Sequence, residues 1–180
     1  MLEFCLIDTA IGPVGLAWSE RGLVRLQLPD QDAAATRGLL AGRLDAVEAE
    51  PPAWLDETVA RLQRYFAGEV IDLSTSPLDL EDVPAFHRKL YVEMLKLGWG
   101  ETVTYGELAE RVGAPGTAQA VGQAMGRNPV AVIVPCHRVL ASGNKMGGFS
   151  APGGTRTKRK LLEMEGVSIG APRGQTAFAF

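Results

Sequence analysis

The chain has few of the side chains that reactive chemistry uses. Its 180 residues include two cysteines and two histidines. Cys5 and Cys136 stand 131 positions apart, which makes no disulfide framework and points to a reducing compartment. Cys5, His87, Cys136 and His137 are not spaced as a zinc ligand set, so no metal is expected. No apolar stretch approaches the ~20 residues of a membrane span. The N-terminus lacks the basic start and small-residue cleavage site of a secretory leader. The expectation is a cytoplasmic protein with no membrane partner.

A net charge of −3 conceals an asymmetry. Residues 1–83 hold 15 acidic and 6 basic residues, a balance of −9, whereas residues 84–180 hold 6 acidic and 12 basic, a balance of +6. A basic half on an acidic chain suits a polyanion partner for that half alone. Solvated helix faces are the plainer explanation.

The pattern of apolar residues predicts an organisation. Leu2–Asp8, Val14–Trp18 and Val24–Leu28, separated by Ile11-Gly12-Pro13 and Glu20-Arg21-Gly22, read as an antiparallel meander. Asp32–Leu44 and Ala53–Ala67 read as helices, the second with Leu55, Val59, Leu62 and Phe66 on one face. Residues 76–83 are acidic and bear Pro77, and they form the expected linker between a unit at 1–75 and one at 84–170. Residues 171–180 form a tail, disordered or an edge strand. Pro84 suits the first turn of a helix carrying Phe86, Leu90, Met94 and Leu97 on one face.

Thr104-Tyr105-Gly106-Glu107 fits a capping box that opens a short helix. Gly113-Ala114-Pro115-Gly116 must turn, and Thr117 is the expected cap of a second helix, Ala118 to about Gly126. Helix, glycine turn and helix have the form of a helix-turn-helix. The second helix is mostly Ala and Gly, with no Arg, Lys or Asn. Small residues let a backbone come close, either to a neighbouring helix or to a narrow groove of DNA.

Val130–Val134 is short and β-branched and reads as a buried strand or extended segment. Pro135-Cys136-His137-Arg138 follows it. A thiolate is a strong nucleophile once a cation or a base lowers its pKa. Adjacent residues of a strand point to opposite faces, so Cys136 and His137 can cooperate only across a turn or a bridging water. Glu165, near the end of a predicted helix, is a candidate to orient the imidazole. An isolated cysteine after aliphatics is otherwise a small core residue.

These residues resemble a known family when taken together. Thr104-Tyr105-Gly106-Glu107-Leu108-Ala109, Ala120-Val121-Gly122, Ala124-Met125, Asn128-Pro129, Pro135-Cys136-His137-Arg138-Val139, Gly147-Gly148-Phe149-Ser150, and Lys158 with Leu161-Leu162 and Glu165-Gly166 occur in order. They are similar to the O6-alkylguanine-DNA alkyltransferases over about residues 84–167. The resemblance implies an α/β (α+β) fold. A small N-terminal antiparallel-sheet domain of ribonuclease-H-like arrangement would precede a mainly helical domain with a winged helix-turn-helix.

The resemblance also implies a function: single-turnover removal of the alkyl group from O6 of guanine in double-stranded DNA, by a monomer without cofactor, on nucleoid DNA. Cys136 would take the group after losing its proton through a water to His137. Glu165 would orient His137, Tyr105 would assist departure of the guanine, and Asn128 would tie the second helix to the cysteine segment. Met125, Val139, Met146, Gly147, Phe149 and Ser150 would line the pocket for the flipped base. Thr104, Tyr105, Gln119, Ala120, Gly122, Gln123, Arg127 and Arg138 would meet DNA in the minor groove. Some family members bind zinc in the N-terminal domain, but no ligand set is visible here.

The chain departs from the family in three ways. Gln119 stands where the family usually has an Arg that fills the gap left by the flipped base. The usual Arg-Gly-Asn-Pro becomes Gly126-Arg127-Asn128-Pro129. Two further residues fall in the loop around Ala151-Pro152-Gly153-Gly154. A protein that binds alkyl lesions without transfer is the alternative, which Cys136 opposes and Gln119 leaves open. A cysteine hydrolase is a third.

Overall fold

The sheet at the N-terminus is covered on both faces, and its strands alternate accordingly. The computed structural model describes residues 1–169; the predicted tail lies outside them. Strands β1 (Leu2–Thr9), β2 (Gly12–Ser19) and β3 (Gly22–Gln27) form the expected meander. A fourth strand, β4 (Ala46–Glu48), pairs parallel to β1, giving the order β3-β2-β1-β4. Helix α1 (Ala33–Ala41), capped by the Asp32 carboxylate, packs Leu40 with Phe4 and Ala17 on one face. A Cβ on Gly15 would come within 2.2 Å of Leu40, so only glycine allows this approach. Helix α2 (Asp56–Phe66) covers the other face, where its Leu62, Tyr65 and Phe66 meet Cys5, Ile7, Val14, Leu16 and Trp18. The alternation of side chains along a strand sends these two sets to opposite sides.

The two halves of the chain share a core. Val130, Val132, Ile133 and Leu161 join the cluster under α2. The outer edge of β3 is also used. Leu23 donates to the Pro77 carbonyl and receives from Asp79 N–H, and Leu26 donates to the Pro129 carbonyl. The segment expected as a linker is therefore ordered along β3, where Ser19 and Arg21 hydrogen-bond the Asp79 carboxylate.

The second half is built on helices α3 (Ala85–Met94), α4 (Tyr105–Arg111) and α5 (Ala118–Gly126). Leu90, Met94 and Leu97 of the predicted α3 face are buried with Leu108, Val121 and Met125. The Thr104 hydroxyl accepts from Glu107 N–H while the Glu107 carboxylate accepts from Thr104 N–H, so the capping box is complete. Such a cap contributes about 1 kcal/mol. Gly113 and Gly116 take positive φ and turn the chain between α4 and α5. Thr117 does not cap α5 as expected. Its hydroxyl donates instead to the Ala114 carbonyl at 2.6 Å, back into the turn. Strand β5 (Val103–Thr104) pairs parallel with β6 (Val139–Leu140), which sets the cysteine segment beside the start of α4. Helix α6 (Thr155–Met164) closes the domain. No helix among the described residues is long and apolar enough to cross a membrane.

Candidate active site

Val130–Val134 is not a strand. Val134 N–H bonds the Val130 carbonyl, closing a wide buried turn in which Val132 takes φ 75°. A β-branched residue rarely adopts that conformation, and such strain persists only where surrounding packing imposes it. Asn128 holds the turn from both sides. Its Nδ2 donates to the Val134 carbonyl at 2.8 Å and its Oδ1 accepts from Val130 N–H at 3.0 Å. Cys136–Arg138 then forms a single 3-10 turn, so Cys136 and His137 are not opposed across a strand.

Glu165, the residue that ends α6, gathers this turn. Its Oε1 accepts from His137 Nε2 at 2.8 Å, from Arg138 Nη2 at 2.9 Å and from the Tyr65 hydroxyl. Its Oε2 accepts from Arg138 Nε at 2.8 Å and from Gly100 N–H at 3.2 Å. Burial alone would raise the Glu165 pKa. The hydrogen bonds from His137 and Arg138, with the charge of Arg138, outweigh it and hold the carboxyl well below the usual range. Burial lowers the pKa of His137 against the pull of Glu165, so the imidazole is neutral. Because Nε2 faces a carboxylate, it carries the proton. Nδ1 is left as a basic lone pair, buried and with no hydrogen-bond partner among the described residues.

Cys136 is almost wholly buried, and burial raises its pKa. The Asn128 side chain, the charge of Lys158 and the N–H groups of Cys136 and His137 oppose that rise. The resting group is a thiol that needs a base, and a neutral Nδ1 is the kind of base it needs. Lys158 is buried completely. Its Nζ donates to the carbonyls of Val139 and Gly148 and sits 5.8 Å from the Tyr105 ring centroid. Burial brings its pKa down to about 8, against the opposing charge of Cys136. The sequence alone assigns no role to Lys158 or to Tyr65. A signal for Lys158 exists: it lies on the apolar stripe of α6, at Lys158, Leu161, Leu162 and Glu165.

A cavity of about 260 Å³ opens onto Cys136. Tyr105, Gly122, Met125, Phe149 and Ser150 line it. Val139, Met146 and Gly147 are not among its walls. The β6–β5 pairing carries the Val139 side chain into the core, and Gly147 lies instead against Tyr105, where a Cβ would come within 3.0 Å of the ring. Beside the cavity runs an open groove bordered by Gln119, Gly122, Gln123 and Tyr105. Ala120 is half-buried on the same helix and Thr104 is engaged in the capping box. Arg127 is exposed at the end of α5. Arg138 is not on this surface. Its guanidinium is buried against Glu165 and the Leu97 carbonyl, because only a cation there balances the carboxylate that also holds His137. Among the described residues no cluster of His, Cys, Asp and Glu could hold a metal ion.

Comparison with known proteins places this geometry. Residues 85–167 match the family model for the DNA-binding domain of 6-O-methylguanine DNA methyltransferase, and residues 3–80 match that for its ribonuclease-like domain. The methylated-DNA–protein-cysteine methyltransferase of Mycobacterium tuberculosis is 38% identical over 165 residues, covering 92% of this chain and 93% of that protein. Its counterpart in Mycobacterium leprae is 41% identical over 165 residues, with the same coverage of both chains. A crystal structure of the M. tuberculosis O6-methylguanine methyltransferase superposes with a TM-score of 0.74 at 37% identity, covering 99% of this chain and 100% of that one. A structure of that organism's protein in complex with DNA gives a TM-score of 0.74 over 91% of this chain and 92% of that one. The chain belongs to the 6-O-methylguanine DNA methyltransferase family.

Proposed function

We propose that this protein repairs DNA by moving the alkyl group from O6 of a guanine in double-stranded DNA onto Cys136, once per molecule. The observation that carries the reading is the buried Nδ1 of His137, in the same 3-10 turn as Cys136, on an imidazole aligned by Glu165 and with no hydrogen-bond partner for Nδ1 among the described residues. A water there takes the thiol proton and passes it to Nδ1. The Cys136 Sγ bonds to the alkyl carbon, and that carbon's bond to O6 breaks. The electron pair leaves with guanine, which is then protonated. Burial raises the pKa of Tyr105, so its phenol keeps a proton to offer the departing base. The thioether has no route back to a thiol, so each molecule acts once.

DNA enters by the minor groove. The face of α5 offers Gln119, Gly122 and Gln123, short enough for a narrow groove. The first N–H groups of α5 have no side-chain cap, which leaves them to donate to a DNA phosphate. Arg127 adds a cation at the far end of α5. The damaged base turns out of the stack into the cavity at Cys136. Every group named comes from one chain, so a monomer suffices, acting in the cytoplasm on nucleoid DNA. The test replaces Cys136 with Ala. That variant should still bind duplex with O6-methylguanine and transfer nothing; transfer by the variant would reject the role of Cys136.

A further inference from the structure

Cys136 stands between two cavities of different character. One is the 260 Å³ cavity under α5. The other, about 570 Å³, lies on the side of the N-terminal sheet, between β3, the end of α1 and the loop at 149–152. Arg25, Arg43 and Arg127 line this second cavity, with Asp30 as its one carboxylate. None of the three arginines is in an ion pair among the described residues. Arg25 is the most exacting of them. Its Nε is buried without a hydrogen-bond partner among the described residues, and its Nη2 reaches Gln27 only at 3.5 Å. Desolvation and the like charge of Arg43 both weigh against its cation. A half-buried guanidinium with an unpartnered Nε and no ion pair among the described residues, lining the same cavity as a second arginine, is suited to hold an anion.

We propose that this cavity reads an anionic substituent on the lesion: Arg25 and Arg43 bind the carboxylate of an O6-carboxyalkyl guanine while Cys136 attacks its first carbon. The proposal rests on the alkyl transfer proposed above. The position of the cavity selects the lesion over a DNA phosphate as the source of the anion. The groove along α5 and the cationic cavity share no lining residue. Each borders the base cavity, the groove through Tyr105, Gly122 and Gly148, the cationic cavity through Gly126, Cys136, Phe149 and Ser150. A substituent on O6 of a base seated at Cys136 can pass Sγ into the second cavity, whereas the backbone stays on the α5 side. In the step, Sγ bonds to the CH2 group and the CH2–O6 bond breaks. The electron pair leaves with guanine, which takes a proton from Tyr105, and the thiol proton passes through a water to His137 Nδ1. The carboxylate is unchanged and remains on the protein as S-carboxyalkylcysteine.

The experiment compares single-turnover transfer from duplexes carrying O6-carboxymethylguanine, its neutral isostere O6-carbamoylmethylguanine, and O6-methylguanine. The variants are Arg25→Gln, Arg43→Gln and the charge-retaining Arg25→Lys. The ratio of carboxymethyl to carbamoylmethyl rates should fall about tenfold in Arg25→Gln, the loss expected of one charge-assisted hydrogen bond. It should fall in exposed Arg43→Gln as well, and largely persist in Arg25→Lys, with methyl transfer unchanged. An unchanged ratio in both Gln variants overturns the proposal. So does an equal slowing of all three substrates with a weaker salt dependence, which assigns the arginines to a DNA phosphate. Failure of the unmodified protein to transfer even methyl is a distinct result, and it rejects the underlying alkyl transfer.

Discussion

His137 Nε2 donates to Glu165 Oε1 at 2.8 Å, and neither side chain is exposed to solvent. One carboxylate thereby aligns the base, balances Arg138 and receives the Tyr65 hydroxyl from the other half of the chain.

That concentration makes Glu165 a stability residue as well as a positioning one. Glu165→Gln leaves the buried Arg138 charge uncompensated. The expected loss is about 3 kcal/mol or more in chemical unfolding, with a parallel loss of transfer. Tyr65→Phe removes one of several donors and should cost only about 1 kcal/mol with transfer largely kept. Equal losses in the two variants would contradict this division.

The same groups set the acid response. The native state refuses a proton on His137 that the unfolded chain accepts near pH ~6.5, so this contribution is present above that pH and lost as pH falls through it. Glu165, depressed in the native state, adds a second loss below ~4.3, its ordinary value. The thermal midpoint should decline from neutral pH to pH 5 and fall faster below pH 4. A midpoint unchanged over that span counts against a neutral buried His137.

The charge of Lys158 favours the Cys136 thiolate, and its own pKa of about 8 keeps most of that charge at neutral pH. Lys158→Met should slow transfer on the order of 10²-fold and move the pH profile for iodoacetamide labelling of Cys136 to higher pH. Slower transfer with an unshifted labelling profile would mean that Lys158 only holds the Val139 and Gly148 carbonyls.

Gln119 is exposed in the groove along α5, able to hydrogen-bond an orphaned base but uncharged and short. Gln119→Arg should raise the transfer rate on duplex DNA and leave it unchanged on the free base O6-benzylguanine, which needs no extrusion. An equal change on both substrates would place its effect elsewhere.

Much of this was legible in the residues themselves. Alternation marked β1 to β3, Thr104 and Glu107 declared their capping box, and Leu90, Met94 and Leu97 announced the buried side of α3. Val130–Val134 misled because β-branched residues favour strands, yet here they line a turn held by the neighbouring Asn128 and packed against Leu26, far away in sequence. The brief β4 has no alternation to detect. Arg138 read as a surface cation because its counter-charge, Glu165, is 27 residues away. Tyr65 could not be found at all, since only the packing of α2 against the C-terminal half brings it to the site.

The central claim is tested most directly by titrating the protein with excess duplex carrying O6-methylguanine labelled in the methyl group, then mapping the label by peptide mass. The account predicts label on Cys136 alone, reaching a plateau at one methyl per protein, with unmodified guanine left in the DNA. Transfer continuing beyond one equivalent, or label on any other residue, would contradict it.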